Sequence, residues 1–261
     1  MLIRWYGLWR RSDYKTSIYI HIGLPKTATT FLQRDLFPKL GINLIKKPSI
    51  YNINIKQGKQ NLITSETLTF DLLKKPNRYV MMKRMHDMFP NAKILFCTRE
   101  TESWLKSVYN LYLYNGYKKS YEEFYDEIDK DMLDTDKFII WLKKTFKEVH
   151  TWEYKKNLAD EIKGICEFLG CDVPPYKNIM RNPSVGPKKM HIQRYINNCC
   201  NEKIFPILVK KMDCDMTMAP NMTMEKLINT EPTHIDFKFC YEKEKSEVNF
   251  RVRKNEYAYK R

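Results

Sequence analysis

No run of apolar residues in this 261-residue chain approaches the roughly 20 needed to cross a bilayer as a helix. The opening stretch, Met1-Leu2-Ile3-Arg4-Trp5-Tyr6-Gly7-Leu8-Trp9, is too short and too interrupted for the apolar core of a signal peptide. Both absences point to a soluble protein that keeps its N-terminus. Cysteine occurs seven times, but an odd count without a CxxC pair supports neither a disulfide framework nor a zinc site. Reduced thiols, a cytoplasmic location and no metal are the expectations. Internal repeats and low-complexity tracts are missing too. So are helix-turn-helix, zinc-finger and RNP signatures.

What the chain has in excess is positive charge: 46 Lys and Arg against 31 Asp and Glu, a formal +15. Such a field attracts nucleic acid, anionic membrane, acidic polysaccharide or a phosphate-rich cofactor, and charge alone does not choose among them. The basic residues are scattered rather than banded, and pairs such as Lys118-Lys119 and Lys143-Lys144 read as solvated helix surface. With 43% hydrophobic and 30% charged residues, the composition is that of a globular protein long enough to bury a substantial core.

Apolar patterning supplies the architecture. Residues 17–22 (SIYIHI) read as a strand closed by Gly23, and 27–36 as a helix with Phe31, Leu32 and Leu36 on one side. A short strand over 61–64 leads to Ser65-Glu66. Residues 78–89 are helical, and 92–97 form a nearly continuous apolar strand that ends at Thr98-Arg99. Helices are expected over 102–114, 121–132 and 135–148. A fourth strand covers 149–154, and a helix over 158–169 is stopped by Gly170. Strands alternating with helices, two of them lacking polar alternation, indicate an α/β protein: three layers, with a parallel sheet covered on both faces. The core domain is assigned to 17–203, with an N-terminal arm over 1–16. In the extension over 204–261, residues 237–241 and 248–253 alternate like the strands of a hairpin.

In such sheets ligands collect where strands end, and Gly23 to Lys26, Glu66 and Arg99 all fall at strand ends. The octet Gly23-Leu24-Pro25-Lys26-Thr27-Ala28-Thr29-Thr30 between a strand and a helix is an arrangement that holds phosphate. Turn N–H groups, a helix dipole, the Lys26 charge and threonine hydroxyls all serve an anion there. It is not the GxxxxGK loop of nucleotide kinases, because no glycine directly precedes Lys26.

Residues 20–33 (IHIGLPKTATTFLQ) resemble the 5′-phosphosulfate-binding loop of the sulfotransferase family, usually PKTGTT or PKSGTT, and are most similar to its carbohydrate-type and bacterial branches. The family's second signature is a strand-end arginine followed eight positions later by a serine, matched here by Arg99 and Ser107. The resemblance spans roughly 18–198 and includes Trp152-Glu153-Tyr154, Phe168-Leu169-Gly170 and Arg181-Asn182-Pro183-Ser184. It implies a P-loop-like sulfotransferase fold and the donor 3′-phosphoadenosine 5′-phosphosulfate (PAPS), leaving 3′-phosphoadenosine 5′-phosphate (PAP), without a metal.

The same resemblance implies roles. Gly23, Pro25, Lys26, Thr27, Ala28, Thr29 and Thr30 would hold the 5′-phosphate, with Lys26 neutralising charge on the leaving oxygen. Arg99 and Ser107 would grip the 3′-phosphate. Arg181, Asn182 and Ser184 are further cofactor contacts by analogy with the bacterial branch. Glu66 matches the glutamate that carbohydrate sulfotransferases use as base, while another branch uses histidine, for which His86 is the candidate. His21, inside the first strand, reads as a packed core residue. Ala28 stands where the family has glycine, and a helix-start conformation there would suit alanine. The RKGxxG segment of the cytosolic small-molecule branch is absent, which disfavours a steroid- or phenol-type enzyme.

The expected acceptor is a hydroxyl or amine on a sugar, an anionic glycan among them, on a protein tyrosine or on a small molecule, and no specific nucleic acid is expected as partner. Two rivals are a P-loop kinase, which would need a magnesium-holding acid at a strand end, and a basic nucleic-acid-binding protein.

Overall fold

The computed structural model describes residues 16–46, 53–68, 78–155 and 157–177, with isolated residues between 190 and 198 and the backbone of three later strands. The chain divides into two compact units: Met1–Trp104 with Asp129–Asn182, and Leu105–Ile128 with Pro183–Arg261.

The first unit is built on a five-stranded sheet. Its strands are β1 (Ile18–His21), β2 (Asn43–Lys46), β3 (Asn61–Thr64), β4 (Lys93–Thr98) and β5 (Glu148–Glu153). Their order is β2-β3-β1-β4-β5 and every pairing is parallel. β1 and β3 are buried at all four positions and β4 at its four central ones, as strands covered on both faces must be. β2 was not expected from the sequence. Its four residues are half-buried or exposed, so no apolar run marks it. β5, at the other edge, is likewise only half-buried.

Residues alternate between the two faces. Tyr19, Leu62 and Leu95 face a core that contains Phe31, Leu32, Leu36 and Phe37 together with Ile162, Ile165, Cys166 and Leu169. The last four belong to helix α6 (Ala159–Leu169), which Gly170 ends in the left-handed region at φ 66°. There the Cys171 N–H donates to the Cys166 carbonyl at 2.9 Å, closing the helix end as glycine after a helix commonly does. On β4, Phe96 meets Phe138 of helix α5 (Thr135–Thr145) edge-on at 5.4 Å.

Helix α2 (Arg78–Met88) brings the chain back to the start of β4 and buries Met82 and Met85. Arg78 is itself buried. Its Nη2 donates to the carbonyls of Asp131 (2.6 Å) and Asp134 (2.8 Å), and the guanidinium lies over Phe138. The helix expected over 121–132 is instead α4 (Tyr121–Glu127) and a separate 3-10 turn, Lys130–Met132, capped by the Asp129 side chain.

In the second unit, α4 opens on a capping box between Ser120 and Glu123. Tyr109 and Phe124 are fully buried in a cluster with Tyr112, Tyr117 and Tyr121. Asn197 Nδ2 donates to the carbonyls of Leu113 and Tyr117, satisfying the end of helix α3 (Thr101–Tyr114). The hairpin expected in the extension is present as β7 (Ile235–Tyr241) paired antiparallel with β8 (Glu247–Val252), and a third strand, β6 (Met212–Asp215), pairs with β7.

Candidate active site

Chain order around the sheet sets the location. From β1 the chain goes to β2 and β3 on one side, then to β4 and β5 on the other, so the order reverses at β1 and β4. A crevice opens at the carboxyl ends of strands beside such a reversal, where connections leave in opposite directions. The segment after β1 and Arg99 after β4 both occupy that edge.

Past His21 the backbone stays bonded on both sides. Ile22 and Leu24 N–H groups donate to the Leu95 and Cys97 carbonyls, and the Ser65 N–H donates to the His21 carbonyl at 3.1 Å. The chain then turns sharply, and the Thr27 hydroxyl donates to the Leu24 carbonyl at 2.5 Å. Lys26 (φ 66°) and Ala28 (φ 61°, ψ 15°) both adopt the left-handed region. The expectation of a helix-start conformation at Ala28 is therefore wrong. The helix, α1 (Thr29–Phe31), begins one residue later and runs into a π turn over Leu32–Leu36. A left-handed residue with a Cβ costs roughly 1–2 kcal/mol, which is the physical reason for glycine at this position in the family pattern. A left-handed residue followed by right-handed ones turns successive N–H groups into a concavity that suits an anion.

The β4–α3 connection clamps this loop. Arg99 donates through Nη1 to the Lys26 carbonyl (2.8 Å) and through Nε to Ser103 Oγ (3.1 Å), and its guanidinium lies 5.1 Å from the Tyr154 ring centre. Trp104, 1% exposed, donates from Nε1 to the Pro25 carbonyl at 3.0 Å. Glu100 accepts from the N–H groups of Glu102 and Ser103 at the start of α3, and those bonds hold its carboxyl below the usual range. Ser107 is buried further along α3.

After β3, Glu66 opens a 3-10 turn (Glu66–Leu68) and its Oε1 accepts from the Thr29 hydroxyl at 2.5 Å. Glu66 thus both starts a helical turn and touches the segment after β1. With Thr27 bonded to Leu24 and Thr29 to Glu66, neither hydroxyl points its proton at an anion, contrary to expectation. His86 lies in the last turn of α2, four residues before the β4-side turn at Pro90, and packs edge-on against Phe146 at 5.3 Å. That is the amino-terminal edge of the sheet, one strand length from the loop, so His86 is not placed to serve it. Arg181, Asn182 and Ser184 lie outside the described residues. The contributions of Trp104, Tyr154 and Ser103 were missed, since nothing local distinguishes them from ordinary helix and strand residues.

Among the described residues no cluster of three or more His, Cys, Asp or Glu could hold a metal ion, and no helix is long and apolar enough to cross a membrane. Cys97, Cys166 and Cys171 are free thiols, and burial pushes Cys166 up to about 11.

The candidate site is a sharply turned loop at the switch point of a parallel α/β sheet. The sulfotransferase family model matches residues 43–175, just over half of the chain, and the chain belongs to that family. The matched span contains Glu66, Arg99 and Ser107 and begins after the loop that carries Lys26. Among solved structures, a sulfotransferase from Alicyclobacillus acidocaldarius is similar at a TM-score of 0.44 and 14% identity, covering 74% of this chain and 95% of that one. No curated protein matches the chain in sequence.

Proposed function

We propose that the chain transfers the sulfuryl group of PAPS to an acceptor hydroxyl or amine, with a carbohydrate as the favoured acceptor class. The observation that carries this reading is the contact between Arg99 and the Lys26 carbonyl at 2.8 Å, at the ends of adjacent strands. The Arg99 guanidinium, from the connection after β4, there reaches the backbone of the loop that carries Lys26, so the residues proposed for the two phosphate ends lie on adjoining connections. The donor set fits PAPS on its own chemistry: a concave run of N–H groups, an ammonium and a guanidinium suit anions.

PAPS supplies the sulfuryl group in a loose in-line displacement, in which positioning and charge stabilisation dominate. The N–H groups of residues 27–30 hold the 5′-phosphate, with Gly23 and Pro25 shaping the turn. The Lys26 ammonium neutralises the charge that grows on the leaving oxygen. Arg99 keeps donors beyond those it spends on Lys26 and Ser103, and with Ser107 it takes the 3′-phosphate. Arg181, Asn182 and Ser184 complete the nucleotide contacts. Glu66 accepts the acceptor's proton, and its bond from Thr29 fixes the carboxylate beside the loop.

The test is label transfer from 35S-labelled PAPS to a panel of amino sugars, uronic-acid glycans and tyrosyl peptides. The reading expects labelled product from at least one carbohydrate and none from Lys26→Ala. Magnesium-dependent phosphate transfer from ATP, with no sulfate transfer, would overturn it.

A further inference from the structure

His21 is the last residue of β1, fully buried, and not part of the donor chemistry described above. Its ring sits where three functional segments meet. Nδ1 and Thr64 Oγ1 hydrogen-bond at 2.8 Å, and Thr64 ends β3 two residues before Glu66. Thr64 Oγ1 also accepts from Gln33 Nε2 at 3.0 Å, and Gln33 lies on the π turn that continues the loop helix. On the other side a Cβ added at Gly23 would stand 3.0 Å from His21 Nε2, so the loop rests directly on the ring. Trp152 stacks on the imidazole at 6.1 Å and Phe37 meets it edge-on at 5.3 Å, which fixes its plane.

An apolar ring would fill this space at lower cost. Among the described residues Nε2 has no hydrogen-bond partner, and a buried polar atom left unpaired destabilises the fold. The polar ring keeps one asset in exchange, the Nδ1 bond to Thr64. Burial holds the imidazole neutral, with its pKa lowered to about 3, so it does not itself move a proton near neutral pH.

We propose that His21 is a positioning residue for sulfuryl transfer: through Thr64 it sets the end of β3, and with it Glu66, in register with the loop that carries Lys26. The inference rests on the PAPS reading above. It assigns His21 no contact with either substrate, so its loss acts on turnover more than on nucleotide affinity.

The experiment compares His21→Asn, His21→Gln and His21→Phe in the full chain, together with Thr64→Val. An asparagine amide can reach the place of Nδ1, whereas a glutamine amide reaches that of Nε2 and phenylalanine reaches neither with a polar atom. Turnover is read as PAP release from PAPS with the fastest acceptor of the panel, water included, and PAP affinity by calorimetry. The expected result is a fall in kcat of roughly ten- to a hundredfold for H21F, H21Q and T64V, the scale of a modest misplacement of a catalytic group. PAP affinity should stay within about threefold, H21N should recover most of the loss, and T64V should add little to H21F. H21F turning over like the wild type, H21N no better than H21Q, or PAP affinity falling in step with kcat would each overturn the proposal alone. A wild-type chain that neither binds PAP nor consumes PAPS would overturn the donor reading, and this inference with it.

Discussion

Arg99 donates through Nη1 to the carbonyl oxygen of Lys26, 2.8 Å away, across 73 residues of chain. Lys26 is left-handed at φ 66°, a conformation an L-residue adopts only under constraint, and the Arg99 bond is part of that constraint. One guanidinium thus shapes the backbone of one proposed anion pocket while belonging to the other.

The first prediction concerns that double duty. Arg99→Lys keeps the charge but loses the planar fork that reaches both Lys26 and Ser103. PAP affinity should drop about ten- to a hundredfold in R99K and at least as far in R99A, the range for losing charge-assisted hydrogen bonds. Calorimetry decides it, and wild-type affinity in R99K would show that charge alone suffices.

Ala28 yields a stability prediction with the opposite sign. Its φ of 61° and ψ of 15° favour glycine. Ala28→Gly should stabilise the chain by roughly 1 kcal/mol, because relieved strain outweighs the added freedom of the unfolded chain. Urea unfolding measures this, and a destabilised A28G variant would contradict the conformation described.

His21 makes stability depend on pH. Its folded pKa is lowered from 6.5 to about 3, so between those values the unfolded state binds more protons. The His21 contribution is complete above about pH 6.5 and is lost as pH falls toward about 3, with a slope on the order of 1 kcal/mol per pH unit. H21F should therefore lose less stability than the wild type between pH 7 and pH 5 in urea titrations. Parallel losses would place a protonated His21 in the fold.

Glu66→Gln removes the proposed base while keeping its shape. Turnover should fall roughly a hundredfold or more, with PAP affinity nearly unchanged. Near-wild-type turnover in E66Q would remove Glu66 from that role.

Local pattern revealed part of this fold. β1, β3 and β4 are short apolar stretches bounded by turn residues, and Lys26, Glu66 and Arg99 follow their carboxyl ends as the pattern indicated. β2 escaped notice because an edge strand of four half-exposed residues has no apolar run to show. The conformation of Ala28 was misread because alanine itself favours a helix, and only the turn geometry requires left-handed backbone. The bonds of His21 to Thr64 and of Gln33 to Thr64 join residues 43 and 31 positions apart. No spacing rule reports such pairs. The first follows from parallel strand register, which brings β1 and β3 side by side with His21 opposite Thr64.

The most direct measurement of the central claim is a calorimetric titration of the wild-type chain with PAP and with AMP at the same ionic strength. Two anion pockets bridged by one nucleotide predict that PAP binds at least about tenfold more tightly than AMP, since the 3′-phosphate adds charge-assisted hydrogen bonds. Equal affinity for the two nucleotides, or no binding of either, would contradict it.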